Sequence, residues 1–198
     1  MIVKTLVFAA GVLYVWAVVL FRKHRAWLSY YLLGAFGLTL ILAFGARYLG
    51  LEKYWESAHL YQTYLLSSWM GIKARLLSQD TIAVTDPVGW ITLRIGIECS
   101  GILESSVIVG LVSFYPAFTV KRKLSLLGIG LAATVTANIV RILIIVAIVH
   151  FYGREAVFIS HAIVGRLFFF ATMIVLFWYI LTRPTVNEVG RMVSGQSR

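Results

Sequence analysis

The hydrophobic positions of this chain fall into long unbroken runs. Five runs are long enough to cross a hydrocarbon core of about 30 Å, which takes roughly 20 apolar residues. They cover residues 2–21, 27–45, 102–118, 124–149 and 162–182. The first run resembles a secretory leader, but Arg22, Lys23, His24 and Arg25 follow it directly without a small-residue cleavage site. It therefore reads as a retained span. Between the second and third runs lies a mixed segment, 46–101. Its first part, 51–77, sets Tyr54, Trp55, Tyr61, Tyr64 and Trp69 among charges, which predicts an amphipathic helix at the membrane interface. Its second part alternates: Ile91, Leu93, Ile95 and Ile97 point one way, and Thr92, Arg94, Gly96 and Glu98 the other. That period of two predicts a strand. The turn-rich Asp86-Pro87-Val88-Gly89 predicts a hairpin with residues 81–85. The expected architecture is an all-α polytopic membrane protein. It is one bundle of about five transmembrane helices over residues 1–198, with a small extracytoplasmic helix-plus-β-hairpin segment.

Composition sharpens this reading. The 198 residues are 60% hydrophobic and 13% charged, with a mean hydropathy of +0.87. A soluble domain carries about 25% charged residues, and disorder needs low hydrophobicity, so both classes are disfavoured. Lysine and arginine number 18 against 8 acids, a net charge of +10. These charges sit between apolar runs, so they read as orientation signals and not as a nucleic-acid surface. Arg22, Lys23 and Arg25, then Lys121, Arg122 and Lys123, then Arg183, Arg191 and Arg198 follow alternate runs, with Glu188 as their only acid. The positive-inside rule makes those segments cytoplasmic, with the N-terminus outside and the C-terminus inside. The remaining segments mix six basic and six acidic residues and face outward. The single cysteine, Cys99, excludes an intramolecular disulfide.

Charges at membrane depth cost at least about 2.5–3.5 kcal/mol each, so each needs a reason. Arg141 lies nine residues before His150, about 13 Å along a helix, in the outer half of its span. Thr134, Asn138 and Arg141 follow i, i+4, i+7 spacing and share a face. A structural ion pair of Arg141 with Glu104 or Glu98 is one reading of that stripe. Arg166 either snorkels or pairs with Glu104. Cys99 precedes Ser100 and Gly101 at the mouth of the third span; a helix starting near Gly101 would favour thiolate through its positive end. His161 opens the fifth span and titrates near neutrality, as a proton carrier must. His59 and His150 are outward too, so the residues alone do not choose the base. No metal-ligand spacing and no glycine-rich phosphate loop is present, so neither a metal nor another cofactor is expected. A transporter needs a central polar path, and the polar residues cluster at the outer side instead.

Three stretches, Glu98-Cys99-Ser100-Gly101-Ile102, Ala137-Asn138-Ile139-Val140-Arg141-Ile142, and Ser160-His161 with Gly165, together resemble the exosortase/archaeosortase family of prokaryotic membrane proteins. The resemblance covers about residues 95–170, and the chain looks like a compact variant. It implies a site on the extracytoplasmic face of the plasma membrane, with Cys99 as nucleophile, Arg141 stabilising the transition state and His161 as general acid/base. Ser100, Gly101, Asn138 and Glu104 would be supporting residues. The implied partners are exported proteins ending in a short motif, a transmembrane helix and a basic tail, and an amine acceptor that the residues do not identify. The competing expectation is a non-catalytic membrane scaffold or permease-like subunit whose buried arginine–glutamate pair only orients helices.

Overall fold

In the computed structural model, which describes residues 2–94, 96, 100–184 and 186, the apolar runs become helices. Helix α1 (Ile2–Lys23) turns at Arg25, whose φ is 56°, into α2 (Trp27–Tyr48). Gly50, at φ 67°, then redirects the chain into α3 (Leu51–Trp69). Three short strands follow: β1 (Ala74–Leu76), β2 (Thr81–Thr85) and β3 (Trp90–Arg94). The last helices are α4 (Ile102–Phe114), α5 (Val120–Tyr152) and α6 (Ala156–Thr182). Among the described residues three helices, α2, α5 and α6, are long and apolar enough to cross a membrane.

The hairpin forms where the alternation and the turn place it. Ile82 lies opposite Leu93 and Thr85 opposite Trp90, antiparallel. The Asp86 carboxylate closes the turn by accepting from the Val88 and Gly89 amides at 3.2 and 2.6 Å. A third strand that the pattern did not announce, β1, pairs with the other edge of β2, Leu76 against Ile82. Flanked on both sides, β2 buries Ile82, Ala83 and Val84 in succession.

Several expected boundaries move. The third run was expected to span 102–118, but α4 has 13 residues, about 20 Å. It stops at Phe114 because Tyr115 precedes Pro116 and is extended (ψ 117°), as the proline ring demands. Helix α3 ends at Trp69 instead of continuing to 77. Gly71, at φ 76°, breaks it, and the chain enters β1. The fifth run begins at Ala156 and not at 162, so His161 lies within α6 instead of opening it. The expected strand over 91–98 is described as Trp90–Arg94; Ile95, Ile97 and Glu98 lie outside the described residues.

Two packed regions hold the molecule. Helices α2 and α4 touch closely: a Cβ on Gly110 would lie 2.5 Å from the Ala35 carbonyl oxygen, and one on Gly34 would strike the Phe114 ring. Small residues permit such approach where lipid offers no hydrophobic drive between helices. Ile108, Val112, Phe169, Met173 and Ile180 fill the neighbouring core of α4, α5 and α6. At the other end Leu60 of α3, Ile82 and Val84 of β2, and Ile142 and Val146 of α5 form a second core. Helix α5, at 33 residues, is about 50 Å long. It exceeds a hydrocarbon core by about 20 Å, and its final turns carry the sheet. The His150 ring Nδ1 lies 2.6 Å from the Thr85 carbonyl, and Arg154 faces Asp86 at 3.6 Å. The turns at 24–26 and 115–119 and the end of α6 lie opposite this sheet lobe.

Candidate active site

The polar stripe on α5 is buried as its spacing predicts. Thr134 and Asn138 are fully enclosed and Arg141 is 4% exposed. The Thr134 hydroxyl donates to the Gly130 carbonyl one turn back at 2.8 Å. The Arg141 guanidinium lies 5.1 Å from the Phe169 ring centroid of α6. That cation–π contact joins the two helices.

Cys99 lies outside the described residues, but the two residues after it are fixed. Ser100 is fully buried, and its carbonyl accepts a hydrogen bond from the Trp55 indole of α3 at 2.8 Å. Its hydroxyl oxygen accepts from the Ile102 amide at 3.3 Å. Gly101 is the left-handed residue (φ 72°) that starts α4, a conformation in which glycine carries no Cβ penalty. A Cβ there would meet Asn138 at 3.6 Å and Thr134 at 3.7 Å. The chain just past the cysteine therefore rests on α5 about one turn before Arg141.

The other expected residues flank this point in two cavities. A groove of about 500 Å³ between α4 and α6 is lined by Glu104, Arg141, Arg166 and Phe169. Among the described residues no ion pair joins Glu104 to either arginine, so the structure shows no Arg141–Glu104 pair. A second cavity of about 500 Å³, between the sheet and the helices, is lined by His161, Arg94, Arg154, Ile142 and Ile145. Arg141 and His161 thus lie on helices that pack against each other, α5 and α6, but line different cavities, with Ile142 and Ile145 of α5 in the wall of the His161 cavity. His161 sits in a stretch of wider, π-helical turns, Ile159–Val164, a feature frequent at functional sites. Gly165 ends that stretch, and a Cβ there would press on Ile145 at 2.9 Å. Glycine is what lets α6 approach α5 beside His161.

Sequence reasoning passed over the contribution of α3. Trp55 reads as an interfacial ring, yet its indole holds the Ser100 carbonyl. His59 stacks near Trp55 at 5.5 Å, is 3% exposed, and its Nδ1 lies 2.9 Å from the Trp55 carbonyl. Burial pulls its pKa below the ordinary histidine range, partly offset by that bond. Glu56, beside Trp55, is 8% exposed. Burial first, then the Glu52 and Asp80 charges, push its carboxyl above the usual range. Asp80 goes the other way: Ser78, Thr81 and Arg94, the last at 2.7 Å, hold it down to about 2. The period of α3 marks which face is buried, but no local signal reports a bond between residues 45 apart.

A family model described as transmembrane exosortase matches residues 2–178. No curated protein and no solved structure matches the chain.

Proposed function

The chain belongs to the transmembrane exosortase family, and from that premise we propose a membrane-embedded cysteine transpeptidase or protease. It cleaves the C-terminal sorting signals of exported proteins. The observation that supports it most is the seating of Gly101, two residues past the cysteine, against Thr134 and Asn138, about one turn from the buried Arg141. In this reading α1 and the shorter α4 join α2, α5 and α6 in the membrane, with the sheet lobe extracytoplasmic and the basic turns cytoplasmic.

In this reading the Cys99 thiolate attacks a backbone carbonyl just outside the substrate's anchor helix. A thioester forms and the anchor fragment leaves. His161 protonates the departing amine. Arg141 presents planar, permanently charged donors to the oxyanion, a contribution worth about 2.7–4 kcal/mol for one donor in a partly dried site. Asn138 and Gly101 set the approach of the cysteine segment to α5. Glu104 places negative charge in the Arg141 and Arg166 groove. An amine then resolves the thioester in transpeptidation, or water in hydrolysis.

Replacement tests the assignment. Cys99→Ala, Arg141→Ala and His161→Ala should each abolish release of the anchor fragment from a reporter substrate while the protein still accumulates in the membrane. Arg141→Lys should fail largely as well, because an ammonium does not reproduce the guanidinium fork. Mass spectrometry of the reporter's new C-terminus reads the outcome. Normal cleavage by Cys99→Ala removes the thiol mechanism.

A further inference from the structure

The outer lobe holds a third cavity that the cleavage step does not use. It has a volume of about 580 Å³ and is lined by Arg47, Glu52, Lys53, Glu56, Asp80, Arg94 and Gly96 among others. Its acids are not equivalent. Both Asp80 oxygens are committed, Oδ1 to Ser78 and Thr81 and Oδ2 to Arg94. Glu56 is nine-tenths buried, borders the cavity, and makes no hydrogen bond or ion pair among the described residues. Glu52 Oε2 is likewise buried without a hydrogen-bond partner. A buried carboxylate oxygen left unmatched is costly, so a cavity that keeps one, Glu52 Oε2, beside the enclosed Glu56 side chain suits a ligand bringing compact positive charge and several N–H donors. No three His, Cys, Asp or Glu side chains among the described residues are placed to hold a metal ion. A primary ammonium, with three donors on one atom, fits this set.

Along the chain, the cavity wall is three residues from the cysteine. Gly96 is part of its wall, and three residues of chain span at most about 11 Å, which bounds the distance to Cys99. Glu56 follows Trp55 in α3, and Trp55 is bonded to Ser100.

We propose that this cavity is the acceptor site, binding a primary amine through Glu56 and Glu52 so that the amine and not water resolves the thioester. The inference rests on the thioester reading above. In the step, the bound ammonium gives one proton to the Glu56 carboxylate and its nitrogen attacks the thioester carbonyl. A C–N bond forms and the C–S bond breaks. The second nitrogen proton passes to the departing Cys99 sulfur. The products are an amide, a thiol and a neutral carboxyl group, and charge is conserved. A carboxyl already inclined to hold a proton suits that role.

The test uses the full-length protein in vesicles with a reporter substrate, and reads the ratio of amide product to hydrolysed product by mass spectrometry. Ethanolamine in solution and vesicles containing an ethanolamine-headgroup lipid are offered separately, so the arms distinguish a soluble from a lipid-borne amine. For the unmodified protein the ratio should rise and saturate with one of them. Glu56→Gln should lower it at least about tenfold, the order expected for losing a hydrogen bond to a charged group. Glu52→Gln, should the first variant fail to accumulate, should lower it in the same direction. A ratio strictly proportional to amine concentration, hydrolysis alone with both amines, or a ratio unchanged in both variants would overturn the proposal. Intact cleavage by Cys99→Ala would instead overturn the thioester reading, and the two failures are distinguishable.

Discussion

Trp55 illustrates how one side chain connects α3 to the proposed chemistry. Its indole N–H donates to the Ser100 carbonyl at 2.8 Å, and Ser100 is fully buried. Removing the donor leaves that buried carbonyl short of a partner, a penalty of about 1–3 kcal/mol. Trp55→Phe should therefore slow anchor release roughly 5–160-fold by lowering kcat, with KM for the reporter little changed and the membrane level of the protein retained. A fall in protein level with normal turnover per molecule would make Trp55 a packing residue only. Glu56 gives a second prediction, in stability. Its carboxyl binds a proton more tightly in the folded than in the unfolded chain, because burial and the Glu52 and Asp80 charges raise its pKa. The stabilisation from that preference is full below the ordinary carboxylate pKa and is lost as pH rises through the raised value. Glutamine resembles the neutral form at every pH. Glu56→Gln should thus melt higher than the parent at about pH 8, and the gap should close towards about pH 4. Equal melting points across that range would contradict the burial assigned to Glu56.

At the scale of elements, the contact between α2 and α4 depends on the absence of a side chain. A Cβ on Gly110 would lie 2.5 Å from the Ala35 carbonyl and from the Thr39 hydroxyl oxygen. Backbone cannot swing aside as a flexible side chain can, so the helices must separate. Gly110→Ala should cost about 1–3 kcal/mol, seen as a lower melting temperature in detergent, while Gly128→Ala, with open space around it, should not. What the sequence made legible follows the same physics. Lipid enforces unbroken apolar runs, so the long helices were readable, and Asp86 announced the hairpin turn through its own side-chain chemistry. The stop of α4 at Phe114 was written in Pro116 but masked by the apolar Phe118 beyond it. β1 was not readable, because three residues show no period. The buried stripe of Thr134, Asn138 and Arg141 was readable from spacing alone. The bond from Trp55 to Ser100 was not, because it depends on how α3 docks onto α5 and the sheet.

For the whole molecule, the separation of its two ends makes the decisive topological prediction. One end gathers the turns that carry Arg22, Lys23, Arg25, Lys121, Arg122 and Lys123, with Arg183 at the end of α6. The other carries α3, the sheet and the turn after α5, where acids and bases mix. Lysines and arginines near short loops are retained on the cytoplasmic side, and each is held there by about 1 kcal/mol against an anionic leaflet. The sheet lobe should therefore be outside. Val88, at the tip of the hairpin, is 86% exposed, and Lys121 is exposed at the start of α5. In a Cys99→Ala background, Val88→Cys should react with a membrane-impermeant maleimide in intact cells, and Lys121→Cys only after permeabilisation. The reverse pattern would put Ser100, Gly101 and the Glu56 cavity in the cytoplasm. There a sorting signal could be cut before export, and an exported protein could not be joined to an acceptor in the envelope. Orientation thus carries as much of the functional argument as any one side chain.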